Sequence, residues 1–275
     1  MGKIFVGYQV YSARDDAAKD LRGTLQQLAQ MGYDGVEFAG FYGHSAQEVL
    51  DMLKETGLKA VSSHVPYAEI VADPFGVIAY HKTIGCDYIA IPFLGDEDRP
   101  GTAGFANVLK TVYFFGDLCK KAGIQLLYHN HDFEFVKVSG MFGLDFLYAS
   151  TPECLLKTEL DVCWVKYAGQ CPVDYITKYS GRAPVVHFKD FVGVIQGRPP
   201  YSLLGENGQD DGTADDSVPF EFRPVGYGCQ DFPAIKVAAE KAGAQWVVVE
   251  QDQSVGRAPL EAAKMSRDYL KSIGL

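Results

Sequence analysis

Apolar positions along the chain follow two alternating rhythms. Short β-branched and aromatic runs are each followed by a stretch whose apolar residues recur three and four apart, the spacings of a strand and of an amphipathic helix. The first run, 4–11, precedes Asp15 and Asp16 as a helix start, with Leu21, Leu25, Leu28 and Met31 on one face and Gly32 as the stop. Residues 36–39 form the next predicted strand, and Ser45 caps a helix over 46–56 that Gly57 ends. A third strand over 58–65 leads into helix 66–84, which Pro74 and Gly76 split. Strand 88–93, a polar loop over 95–102 and helix 105–122 follow, closed by Gly123. The fifth and sixth strands, 124–131 and 155–162, are followed by brief helices over 143–150 and 173–179, and the seventh strand is 184–190.

From 191 to 230 the rhythm breaks into Gly193, Gly197, Pro199, Pro200, Gly205, Gly208 and an acidic group from Asp210 to Asp216, a polar insertion of the kind that is functional or mobile. Helix 231–242, strand 246–251 and helix 259–272 complete the chain. Eight strand-then-helix units in series predict a single (β/α)8 TIM barrel over 1–275, with 191–230 inserted after strand seven above the C-terminal face. An open doubly wound sheet is the alternative, but it favours a glycine-rich phosphate loop after the first strand. Gly7-Tyr8-Gln9 is not one.

Composition narrows the function. The 275 residues are 47% apolar, ample for one large core, and the net charge is −10 without any basic stripe, which argues against nucleic acid as a partner. No run reaches the ~18 apolar residues of a membrane span. Six cysteines lie scattered without C-x-x-C spacing and the N-terminus has no long apolar segment, so we expect reduced thiols in a soluble cytoplasmic protein, away from membranes. Assembly into a homo-oligomer is compatible with this composition.

The chemistry gathers at strand ends. Thr158-Glu159-Leu160-Asp161-Val162 places two carboxylates two apart, on one face of a strand, and a buried carboxylate pair demands a cation or a strongly raised pKa. Three further apolar runs end in His129 and His131, in His187 and Lys189, and in Glu250 and Asp252. Glu37, His64 and Glu134 fall at, or just after, other strand ends. In TIM barrels that end carries the active site. Asp161, His187 and Glu250 are therefore read as ligands of a divalent metal, with Glu159 as the fourth and Glu134 as its competitor. Oxygen-rich donors favour Mn²⁺, with Mg²⁺, Co²⁺ or Zn²⁺ also accommodated. His131 is the candidate base, Lys189 the candidate oxyanion partner, and Glu134 or His64 the second proton carrier. Glu37, His129, Trp164 and Tyr8 are read as contacts to a small-molecule substrate, a carbohydrate on the resemblance described next. Plainer roles stand beside these: His64 as a hydrogen-bonded structural histidine, Glu159 paired with Lys157 or Lys166, and the aromatic residues as packing.

The order of Asp, His and Glu on strands six to eight resembles the xylose-isomerase-like barrel superfamily of sugar phosphate isomerases and epimerases, whose members include tagatose epimerase and inosose dehydratase. The similarity runs through residues 7–15, Tyr128-His129-Asn130-His131 leading to Glu134, Leu160-Asp161-Val162, and Pro224-Val225-Gly226-Tyr227-Gly228. It implies a metal-dependent isomerase or epimerase that enolises a keto-sugar, with a dehydratase or lyase as the near alternative. Tyr128 stands where the epimerases carry a metal-binding Glu, in a histidine-rich segment more like that of inosose dehydratase, which implies a His base in place of paired glutamates. Two other classes are weighed: a sugar-binding barrel or hetero-complex subunit without catalysis, and an endonuclease, which the acidic charge opposes.

Overall fold

The computed structural model describes residues 3–193 and 220–275. Eight parallel strands close into a barrel: β1 (Phe5–Gln9), β2 (Gly35–Ala39), β3 (Lys59–His64), β4 (Tyr88–Ile91), β5 (Gln125–His129), β6 (Lys157–Asp161), β7 (Val185–Phe188) and β8 (Trp246–Val249). Closure is made by β1 against β8, with Phe5 opposite Trp246 and Tyr8 opposite Val249. The eight units expected from the sequence are thus present, and the open-sheet alternative is excluded.

Local chemistry explains the helix boundaries. Ser45 and Glu48 form a reciprocal capping box at the start of Ala46–Thr56, and Gly57 ends that helix at φ 73°, a backbone angle that favours glycine. The expected split of 66–84 falls at Asp73, which stops Tyr67–Ala72 and whose side chain accepts from Gly76 N at 2.9 Å to start Pro74–Ile84. Two segments differ from expectation. The sixth strand passes straight into a helix, Val162–Tyr167, because Asp161 Oδ1 accepts from Cys163 N at 2.7 Å and caps it. The start and end of the expected insertion are ordered: Asp190–Val192 pairs antiparallel with Glu221–Arg223. Residues 194–219 of the expected insertion lie outside the described residues.

The core has two parts. A large cluster fills the space between strands and helices, and a smaller one, Val61, Tyr88, Ala90, Leu127, Val185, Trp246 and Val248, plugs the barrel interior below the polar strand ends. The interior is narrow at Gly35, where a Cβ would stand 2.7 Å from Lys59 O and from Val61 Cγ2. All six cysteines are free, and among the described residues no helix is long and apolar enough to cross a membrane.

Candidate metal centre and cavity

Side-chain alternation decides which residues reach the barrel axis. Leu127 on β5, Val185 on β7 and Val248 on β8 point inward in the plug, so His129, His187 and Glu250, two residues further on in each case, point inward above it. On β6 the same parity turns Glu159 and Asp161 inward, and on β1 and β2 it brings Gln9 to Glu37, whose Oε1 accepts from the Gln9 amide at 2.6 Å. His64 breaks the simple period. The register between β2 and β3 shifts by one residue, Val36 facing Ala60 and Glu37 facing Ser62, so Val61 and His64 both reach the interior although three residues apart.

The donors form two overlapping layers. In the upper one, His129, Asp161, His187 and Glu250 bring one ligand atom each to within 4.8 Å of the others. His129 Nε2 lies 3.4 Å from Asp161 Oδ2 and 3.6 Å from Glu250 Oε2, while His187 Nδ1 lies 3.0 Å from Glu250 Oε2. In the lower layer, His64 Nε2 lies 2.7 Å from Glu159 Oε2 and 3.1 Å from Glu37 Oε1. Lys189 Nζ, also buried, contacts Asp252 at 2.7 Å, Glu250 at 3.2 Å and Asp161 at 3.6 Å.

Electrostatics follow from this crowding. Burial works against a charged imidazole at position 64, yet Glu37 and Glu159 outweigh it and carry His64 up to about 10. Burial opposes ionisation of Glu37 and Glu250 too. His64 and His187 hold Glu37 well below the usual carboxylate range, and Lys189, His129 and His187 do so for Glu250. His131 moves the other way: burial, then His129 and Lys189, push it well below 6.5. It is an uncharged imidazole beside a cationic neighbourhood.

The residues fit a divalent ion. His129 Nε2 and Asp161 Oδ2 are buried without a hydrogen-bond partner, as are Glu37 Oε2 and Glu159 Oε1, while His187 Nε2 faces Glu37 Oε1 at 2.8 Å. Buried polar atoms are nearly always satisfied, and this many orphans at one place is what an ion's ligands look like when only protein atoms are counted. Carboxylate oxygens with imidazole nitrogens suit Mn²⁺, Co²⁺ or Zn²⁺.

Several expected site residues take other places. Glu134 does not reach the donors; its carboxylate accepts from the Tyr128 hydroxyl at 2.6 Å and from His131 N at 2.8 Å, and so fixes the turn that presents His131. Tyr8 has the outward parity of β1 and packs edge-on against Tyr33 at 5.2 Å in the outer core, away from the donors. Tyr128 points outward as well, so the residue that β5 offers to the centre is His129. Trp164 is fully buried behind His131, with ring centroids 5.2 Å apart and Lys189 Nζ 4.8 Å over its ring, so it backs the site without facing the cavity. Gln9, which holds Glu37, was not anticipated; its parity with Gly7 was the available signal.

A cavity of about 610 Å³ opens above the donors. His64, His129, His131, Lys189, Glu250 and Asp252 form its inner wall, and Tyr11, Tyr67, Glu69, Phe93, Glu97 and Asp98 line its outer part. A hollow of about 690 Å³ on the outer face of helix Phe105–Ala122, lined by Leu109, Tyr113 and Phe114, lies away from this chemistry.

The fold agrees with what known proteins show. Residues 25–273 match the family described as xylose isomerase-like TIM barrel, and the chain belongs to that family. It is 29% identical, over 90% of its length and 88% of the other's, to an inosose dehydratase of Clostridium botulinum (strain Alaska E43 / Type E3). It is also 29% identical over 159 residues to an inosose dehydratase of Clostridium beijerinckii; that match spans 57% of this chain and half the length of the relative. A sugar phosphate isomerase/epimerase from Parabacteroides distasonis superposes with a TM-score of 0.76 at 23% identity, covering 98% of each chain, a likeness of fold.

Proposed function

We propose that the chain is a divalent-metal-dependent enzyme that removes the proton α to the ketone of an uncharged keto-sugar or related polyol ketone and then expels a β-hydroxyl as water. The observation that carries this is the meeting of His129, Asp161, His187 and Glu250, from β5, β6, β7 and β8, on the inner wall of a cavity that His131 also lines. These four would hold the ion, with His129 taking the place that the sequence reading gave to Glu159. When bound, such an ion supplies Lewis acidity toward a ketone and its neighbouring hydroxyl.

The protein's own groups do the rest. His131, uncharged and held in place by Glu134 and Trp164, takes the α-proton. Lys189, already ordered by Asp252, donates to the oxygen on which negative charge develops. His64 reaches the same cavity and gives the proton that leaves with the β-hydroxyl. Glu69, Glu97 and Asp98 in the outer wall accept hydroxyl hydrogen bonds and repel anions, which supports an uncharged substrate over a phosphate ester. Elimination is favoured by the inosose dehydratases among the relatives. Isomerisation or epimerisation is the second reading, because His64 and His131 give the cavity two proton carriers that could return a proton elsewhere on the sugar.

The test is solvent deuterium incorporation into keto-sugars and inososes in D₂O by the Mn²⁺-loaded protein, followed by product analysis. Exchange with an unsaturated product establishes elimination, and exchange with an isomer the second reading. His131→Ala should slow exchange by ~10²–10⁴-fold while leaving bound Mn²⁺ unchanged. Exchange at the wild-type rate would remove His131 as the base.

A further inference from the structure

Helix Phe105–Ala122 buries one stripe, with Val108, Val112, Phe115 and Cys119 in the core, and turns Lys110, Tyr113, Phe114 and Asp117 outward. Exposed apolar residues are ordinary when they stand singly. Here two large rings, Tyr113 at 47% and Phe114 at 53% exposure, stand side by side. The hollow of about 690 Å³ beside them is lined further by Leu109 and Leu155. Its walls are fixed: the Tyr113 hydroxyl donates to Ser150 O at 3.0 Å, and Gly116 admits Leu155 O to where a Cβ would stand 2.6 Å from it.

The charges of this face are incomplete. Asp117 meets Lys121 of the same helix at 2.6 Å, whereas Lys110 has Asn107 Oδ1 at 3.4 Å and, among the described residues, no carboxylate partner. The order of the side chains supplies one. Lys110 stands three residues before Tyr113, and Asp117 three residues after Phe114, so the face is its own complement when the helix is reversed. A two-fold axis between Tyr113 and Phe114 lays the helix antiparallel on a second copy. Each Lys110 is then level with Asp117 of the partner subunit, and each Tyr113 with Phe114 of the partner subunit. An unrelated protein would match this order by coincidence, but a symmetric pair matches it by construction, because every contact across a two-fold axis occurs twice.

We propose that this face is the contact between two copies of the chain, with the aromatic pair packed across the axis and two Lys110–Asp117 ion pairs flanking it. The contact lies on the outer wall of the barrel, so it does not depend on the chemistry assigned to the mouth. The 18-residue helix is about 27 Å long, less than a standard interface of about 800 Å² per partner requires, so a dissociation constant of ~1–100 µM is expected. Sedimentation velocity of the whole chain from ~1 µM to ~1 mM should show monomer giving way to dimer. Phe114→Ser should weaken the dimer ~30-fold. Lys110→Asp and Asp117→Lys each set like charges opposite one another and should each weaken it ~10-fold or more. Mixed in equal amounts, those two variants restore opposite charges and should associate as wild type does, with folding checked by circular dichroism. Wild type that stays monomeric throughout overturns the proposal and leaves the face to a different partner. A dimer that all three variants leave unweakened places the contact elsewhere and overturns it too, as does a mixture no tighter than its components.

Discussion

Glu134 shows how one buried carboxyl can serve the site without touching it. Burial raises it from its ordinary 4.5 to about 7, against the donors Tyr128 and His131 N, which favour its charged form. Between those two values the folded chain holds a proton that the unfolded chain has lost. The contribution to stability is therefore fully present below pH 4.5 and disappears as pH rises through 7, a change of about 3 kcal/mol at ~1.4 kcal/mol per pH unit. Glu134→Gln has no such proton to lose. Urea unfolding at pH 5 and pH 7.5 should show wild type losing more stability than the variant on raising the pH; parallel behaviour would mean that the carboxyl is already ionised in the fold. Tyr128 donates to Glu134 from the outward face of β5, so its ring supports the turn while the neighbouring His129 reaches inward.

At the scale of the element, the narrowness of the barrel at β2 and β3 makes a sharp prediction. Gly35→Ala would press a methyl against Lys59 O and Val61 Cγ2, each 2.7 Å away, beside the register shift that turns His64 inward. Overpacking of this kind costs ~1–3 kcal/mol. We expect a lower Tm and weaker substrate turnover with the upper metal ligands intact, readable by calorimetry and Mn²⁺ content; an unchanged melting curve would show that β2 can move aside. This region also marks the limit of what the sequence discloses. Short β-branched and aromatic runs punctuated by glycine and proline make the eight strands legible, and parity alone puts Glu159 and Asp161, or His187 and Lys189, on one face. Parity does not give distances across a closed barrel, so it could not say that His129, four strands from β1, meets Asp161 while Glu159 meets His64. It fails outright where β3 slips by one residue, and it left Tyr8 undecided between cavity and outer core. The ribbon of Asp190–Val192 with Glu221–Arg223 pairs residues some thirty positions apart and carries no local signal.

For the molecule as a whole, the mouth of the barrel concentrates charge that the rest of the fold must hold together. Glu37, Glu159, Asp161, Glu250 and Asp252 arrive from β2, β6 and β8 and are buried, with Lys189 as the permanent cation among them. Five strands, β2, β3, β5, β6 and β7, and the end of β8 thus share one electrostatic requirement, and bound divalent metal should tie them into a single cooperative unit. A ligand that binds only the folded state stabilises it by about 2.7 kcal/mol when present at 100 times its dissociation constant. For a domain of this size that is roughly a 5–10 °C rise in Tm. Chelator-stripped protein should therefore melt lower than protein with Mn²⁺ restored, by about that much, and Mg²⁺ should restore less if nitrogen ligands matter. Asp161→Asn, which removes one upper-layer donor while keeping its shape, should melt at nearly the same temperature with or without Mn²⁺. Scanning calorimetry on the four samples reads this directly: equal melting of stripped and restored wild type would mean that protonated histidines alone meet the charge of the barrel mouth.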